Sequence, residues 1–259
     1  MKININVHLD YSLAGPSDIL LQIEAAAMPD QKVEAAHIFV PGEGHFARVP
    51  GEEYIGERIW IRRDERFTAD YRATVSIDRP VGDCSNLNQV PVHLLPGDVI
   101  KYLMGSRYCP ANQFQSFVET EFGKLSGGAR IMALRDWIER KFAYTPGSSN
   151  ADTTALDTFV KRQGICRDYA HVLVTLARAS GIPARAASVY AVGVEPQDFH
   201  AVAEVFLDGE WHLVDPTGMA PVDGIARIGV GRDAADISFM TIYGAATLEA
   251  QTVEVEKVE

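Results

Sequence analysis

The stretch RQGICRDYAHVLVTLARASGIPAR, Arg162–Arg185, decides how the rest of the chain is read. From Cys166 onward, Tyr169, Ala170, Leu173, Leu176, Ala177 and Ser180 recur at the i, i+3, i+4, i+7 spacing of one helix face. Gly181 and then Pro183 supply a stop signal, so a core helix is expected over 166–180 with Cys166 in its first turn. A free cysteine there has two readings. Cysteine is among the most buried residue types and is often inert packing. At a helix amino terminus, however, the dipole stabilises a thiolate, which is the nucleophilic form.

The strands that follow bear on the choice. PARAASVYAVG, FHAVAEVFL and EWHLVDP carry β-type patterning, and the last two are joined by Asp208-Gly209, a strong two-residue hairpin signal. With that turn, Leu207 faces Glu210, and counting outward in step sets Asp215 opposite Val202 with His200 as its diagonal neighbour. Diagonal neighbours lie about 7–8 Å apart, within reach of a carboxylate and an imidazole. That face continues through Val202, Glu204, Phe206, Trp211 and Leu213, and its apolar character leads us to expect it to pack on the Cys166 helix; a bulge would invert the parity. Cys166, His200 and Asp215 are therefore the candidate nucleophile, base and orienting carboxylate. Taken singly, each residue reads as packing or a structural group; the three together point to catalysis.

Other candidates fit less well. His171 lies about 140° around the helix from Cys166, and His212 falls on the far face of the hairpin, so both read as surface or structural groups. Glu204 is expected at a solvent edge or as a loop partner. GVGRD, Gly229–Asp233, lacks the strand, lysine and spacing of a phosphate loop and reads as a turn.

Composition narrows the function classes. The 259 residues include 24 Lys and Arg against 35 Asp and Glu, a formal net charge of −11, which argues against a phosphate-tracking surface and hence against nucleic acid. The start, MKININVHLDYSL, has no apolar signal-peptide core, and no run of about 18 apolar residues occurs, so no membrane span and a cytoplasmic location are expected. The 3 cysteines, Cys84, Cys109 and Cys166, have no CxxC spacing, so neither a disulfide framework nor a metal site is expected, and no cofactor.

Along the chain, Ile3, Ile5, Val7, Leu9 and Tyr11 alternate with polar residues, and Phe67, Ala69, Tyr71, Ala73, Val75 and Ile77 do the same. Residues 1–80 therefore read as an antiparallel β-sandwich, 81–125 as a linker with connecting helices, and 126–259 as an α+β catalytic domain. The carboxy-terminal TVEVEKV alternates too, leaving an added strand or a frayed end as the two outcomes.

GICRDYAH around Cys166, DFHAVAEVFLDGEWHLVDPTG around His200 and Asp215, and FAYTPGSSNADTTALDTFVKRQG upstream resemble the transglutaminase-like superfamily, in particular bacterial transglutaminase-like cysteine proteases with an amino-terminal β-rich domain. The resemblance covers about residues 130–220. It implies a papain-like α+β core in which Cys166 attacks an amide or acyl carbonyl of a peptide or protein, His200 acts as base then acid, and Asp215 orients His200. A thioester would pass its acyl group to water or to an amine. The Cys166 backbone N–H would serve the oxyanion, with Gln163 or Tyr144 as second donor. Many relatives carry His-Ala-Trp where this chain has His200-Ala201-Val202, so an aromatic wall is expected to be missing or supplied by Phe206 or Trp211. Two other readings stand beside this one: acyl transfer of the arylamine N-acetyltransferase kind, marked by acyl-CoA dependence, and a catalytically silent binding module. Oligomeric state is not legible.

Overall fold

A computed structural model describes residues 1–80 and 82–258. The amino-terminal part forms β1 (Lys2–Leu13), β2 (Ser17–Leu21), β3 (Gln31–Phe39), β4 (Phe46–Pro50), β5 (Glu57–Arg63) and β6 (Arg66–Ile77). Then come α1 (Gln115–Phe122), α2 (Gly127–Lys141), β7 (Ala143–Tyr144), α3 (Ala155–Lys161), β8 (Gln163–Gly164) and α4 (Cys166–Ala179). The chain ends with β9 (Ala184–Ala191), β10 (His200–Leu207), β11 (Glu210–Val214), β12 (Ile225–Gly231), α5 (Ala234–Ile237), β13 (Met240–Tyr243) and β14 (Ala246–Lys257). No helix among the described residues is long and apolar enough to cross a membrane.

Two four-stranded sheets, in the orders β14-β1-β6-β3 and β13-β2-β5-β4, face each other as the expected β-rich unit. Inward residues of both, such as Ile5, Leu9, Ile19, Ile61, Phe67 and Tyr71, share one core, as period-two strands with one buried face require. The carboxy-terminal alternation does form a strand. It pairs along β1, Val255 opposite Ile5 and Val253 opposite Val7, so the last residues complete the amino-terminal sandwich and do not belong to a unit running from 126 to 259.

The second unit is a sheet of order β11-β10-β9-β12 covered by α4, which packs mainly on β10 and β9. The hairpin register is the one the Asp208-Gly209 turn dictates: Leu207 faces Glu210 and Ala203 faces Val214, without a bulge. The face was misjudged. Ala203, Val205 and Leu207 pack against Tyr169, Val172, Leu173 and Leu176 of α4, whereas Val202 lies in a separate cluster on the other side of the sheet with Ala187, Val189 and Leu213. Strand β10 is buried on both faces, so its alternation cannot say which face meets the helix.

Glu204 is also not at a solvent edge. It is fully buried, accepting from Arg185 Nε at 2.6 Å and Arg227 Nε at 2.5 Å; Arg185 continues to Glu53 and Arg227 to Asp30. Glu53 and Asp30 belong to the sandwich, so a buried, charge-alternating network ties the two units together. Tyr190 of β9 adds a stack on Tyr71 and a hydrogen bond to the Ile23 carbonyl. GVGRD is not a free turn, because Gly229, Val230 and Gly231 finish β12.

Candidate active site

Helix α4 begins abruptly because its amino end is fastened from both sides. Asp168, in the first turn, is buried and accepts the Ile165 N–H at 2.9 Å, satisfying a backbone donor that helix geometry leaves without a partner. A Cβ on Gly164 would stand 2.7 Å from the Asp168 Cβ, so only glycine lets the chain turn into the helix here. The far end closes with Gly181 at φ 72°, in the left-handed conformation the sequence stop signal anticipates. Twelve of the fourteen helix residues are buried, making α4 the central helix of its unit, with the Cys166 thiol at its dipole-positive end.

His200 opens β10 and Asp215 follows β11, so the hairpin sets them side by side: His200 Nε2 lies 3.1 Å from Asp215 Oδ2. Asp215 is held by four donors. Its Oδ1 accepts the Thr217 N–H at 2.8 Å and hydroxyl at 2.7 Å, and its Oδ2 accepts the Ala220 N–H at 3.0 Å beside the imidazole. Burial opposes the charge, but the hydrogen bond and charge of His200 and the Thr217 donors outweigh it and hold this carboxyl below its ordinary value.

These bonds fix the ring. With Nε2–H donating to Asp215, the other nitrogen, Nδ1, is buried without a formed hydrogen bond. The Cys166 thiol lies close enough for its hydrogen-bonding capacity and charge to act on the ring. Burial disfavours the imidazolium; the hydrogen bond to Asp215, the nearby Cys166 sulfur as an acceptor, and the charges of both reverse this and push its pKa up to about 10. Cys84 and Cys109 have no such partner, and burial pushes their thiols up to about 11 and about 12.

Cys166, 9% exposed, looks onto a cleft of about 520 Å³. His200, Tyr144, Arg167, Asp198, Phe199, Phe239 and Gln251 are among its lining residues, the last from β14, so the sandwich supplies part of the wall. Of the two side chains considered for an oxyanion, the structure brings in one. Tyr144 lines the cleft and packs on Cys166, whereas Gln163, its near neighbour across the β7–β8 pairing, is exposed and is not among the cleft-lining residues. Burial, then the negative charge of Cys166, raises the Tyr144 hydroxyl well above its ordinary value, so it stays a proton donor. The expected replacement wall is also elsewhere: Val202 is fully buried, while Phe206 and Trp211 pack together with Leu95 and Val99. The aromatic wall is Phe199 stacked on Phe239, with Tyr108 and Tyr144, residues the sequence motifs did not single out for this role. His171 is structural, accepting the Ala234 N–H and stacking on Tyr108; burial lowers its pKa to about 4.

Fold and cleft thus define an α+β protein that gathers a thiol, an imidazole and a carboxylate at the junction of a helix start and a hairpin. A family model of the transglutaminase-like superfamily matches residues 116–216. The crystal structure of "a Putative Cysteine Protease" from Cytophaga hutchinsonii superposes with a TM-score of 0.94 at 32% identity, covering 100% of this chain and 91% of that one. An uncharacterized protein of Mycobacterium leprae is 29% identical over 147 residues, 52% of each chain, and one of Mycobacterium bovis is 30% identical over 127 residues, 41% of this chain and 40% of that one. The chain spans about half the length, or less, of these curated relatives. It belongs to the transglutaminase-like superfamily.

Proposed function

We propose that this protein is a cysteine-nucleophile acyl-transfer enzyme acting on amide bonds of peptides or proteins. The supporting observation is that His200 bonds Asp215 through Nε2 while its Nδ1 is left for Cys166. His200 takes the thiol proton at Nδ1, and the Cys166 sulfur forms a bond to the substrate carbonyl carbon as the C=O electron pair moves onto oxygen. The developing oxyanion lies between the Cys166 N–H and the Tyr144 hydroxyl, donors in place before charge develops. His200 then returns its proton to the leaving amine as the C–N bond breaks, leaving a thioester on Cys166. For the second half, His200 takes a proton from water or from an amine, which attacks the thioester and expels the thiolate. Asp215 keeps the ring in one tautomer throughout, without itself taking the proton.

Water as acceptor gives hydrolysis or deamidation; an amine gives transamidation. Incubation with a diverse peptide and protein mixture, with and without a primary amine, followed by mass spectrometry for cleavage, deamidation or amine incorporation, tests the reading. Products that form with wild type and vanish with Cys166→Ala support it. Products that persist in Cys166→Ala, or the absence of any product together with a requirement for acyl-CoA, overturn it.

A further inference from the structure

The cleft is electrostatically lopsided. Apart from the His200–Cys166 pair itself, the charged side chains among its lining residues are Arg167 and Asp198, and Arg167 is already committed: its guanidinium bonds the buried Asp168 carboxylate, the Ser149 hydroxyl and the Asn150 carbonyl. Asp198 is different. Both donors that reach it, the Gln251 amide at 2.8 Å and the Phe199 N–H at 2.8 Å, bond the same oxygen, Oδ1. Oδ2 keeps its acceptor capacity, and the carboxylate is exposed at the cleft. It is also held in position. The neighbouring Gln197 side chain clasps the backbone of β14, donating to the Val255 carbonyl at 3.1 Å and accepting the Val255 N–H at 3.0 Å. The loop before His200 is thus pinned to β14 through both Gln197 and Asp198. Its charge reaches the reacting end of the cleft, where it is among the influences that raise the Tyr144 hydroxyl, after burial and Cys166.

Beside this anion stands the apolar wall. The Phe199 and Phe239 rings stack with centroids 4.3 Å apart and planes within 10°, and both line the cleft. A carboxylate at the edge of an aromatic shelf matches an alkyl stem tipped by a cation, because the stem buries on the rings while the charged head meets the acid. The geometry points to a specificity subsite for a basic substrate side chain, lysine or arginine, flanking the reacting carbonyl, with Asp198 as its anchor and Phe199–Phe239 as its floor. This rests on Cys166 being the atom that receives the acyl group.

Two measurements separate the subsite from the reaction. The first compares the rates at which Cys166 is modified by 2-aminoethyl methanethiosulfonate, a cation, and methyl methanethiosulfonate, which is neutral. Asp198→Asn should lower the cation-to-neutral rate ratio by about three- to fivefold at low ionic strength, an effect that salt should shrink. Asp198→Lys should lower it further. An unchanged ratio in both variants overturns the subsite even if the enzyme turns over peptides. The second scores products of wild type and Asp198→Lys on a peptide library. Lysine or arginine next to the modified position in wild type, and aspartate or glutamate in the variant, is the expected result. If only the entering amine, and not the acyl donor, depends on Asp198, the assignment to a flanking side chain is wrong. If the rate ratio responds while no peptide reacts with any variant, Asp198 attracts a cation to the cleft, but its assignment to a side chain flanking the reacting carbonyl falls with the proposed reaction.

Discussion

Replacing Asp215 by asparagine removes one charge and almost no volume, and the structure says what must follow. The carboxylate accepts four hydrogen bonds, from the Thr217 N–H and hydroxyl on Oδ1 and from Ala220 N–H and His200 Nε2–H on Oδ2. Asparagine has one acceptor oxygen. If that oxygen keeps Thr217, the amide group meets two donors, and His200 escapes the clash only by moving its proton to Nδ1, the atom meant to accept from Cys166. If the amide flips, the tautomer survives, but the Thr217 N–H faces a donor. In either case the charge that helps hold His200 near pKa 10 is gone. Losing one close opposite charge lowers a pKa by about 1–3 units, about 1.4–4 kcal/mol against the imidazolium. Relative to the neutral thiol–imidazole pair, the thiolate–imidazolium pair should then be about ten- to a thousandfold less populated, and alkylation of Cys166 by iodoacetamide near pH 8 should slow by up to that factor. The unmet backbone N–H adds about 1–3 kcal/mol of destabilisation, read by urea unfolding. Wild-type labelling of Asp215→Asn, with an unshifted His200 titration by NMR, would refute this coupling.

Three further outcomes follow from the same geometry. In the folded protein near neutral pH, Cys166 should alkylate well before Cys84 and Cys109, whose thiols burial holds at about 11 and about 12; equal labelling of all three by peptide mass spectrometry counts against it. Tyr144→Phe should cut turnover about a hundred- to a thousandfold while leaving the alkylation rate of Cys166 nearly unchanged, so a matching loss in both would deny the hydroxyl an oxyanion role. His171, buried and neutral with its pKa lowered from 6.5 to about 4, leaves proton uptake to the unfolded chain in that window. Its contribution is therefore complete above pH 6.5 and is lost as pH falls towards 4, by roughly 3 kcal/mol, so His171→Asn should flatten the pH dependence of urea stability there. An equal slope in wild type and variant would contradict the assignment.

What the sequence revealed was local in kind. Alternation over Ile3–Tyr11, the helical stripe from Cys166, and the Asp208-Gly209 turn each depend on neighbours close along the chain, and each element formed as read. The pairing of His200 with Asp215 was legible for the same reason, because a two-residue turn fixes every later register. What escaped depends on partners that are near only after folding. Glu204 looked solvent-bound because its cations, Arg185 and Arg227, reach it from neighbouring strands. The last strand pairs with the first, and alternation alone does not name a partner. Gln163 and Tyr144 were indistinguishable as donors until the β7–β8 pairing set them beside each other and only one faced the cleft. The Phe199–Phe239 wall joins residues from the loop before β10 and the segment before β13, a meeting no motif spacing encodes.

The acyl-carrying role proposed for Cys166 has a direct test. The protein is mixed with p-nitrophenyl acetate, quenched in acid within seconds and digested, and the peptides are searched by mass spectrometry for acetyl. One hydroxylamine-labile acetyl group on Cys166, absent in His200→Ala although that variant remains folded, is the expected result. Acetyl found only on serine or lysine, or an equal yield on Cys166 without His200, would contradict it.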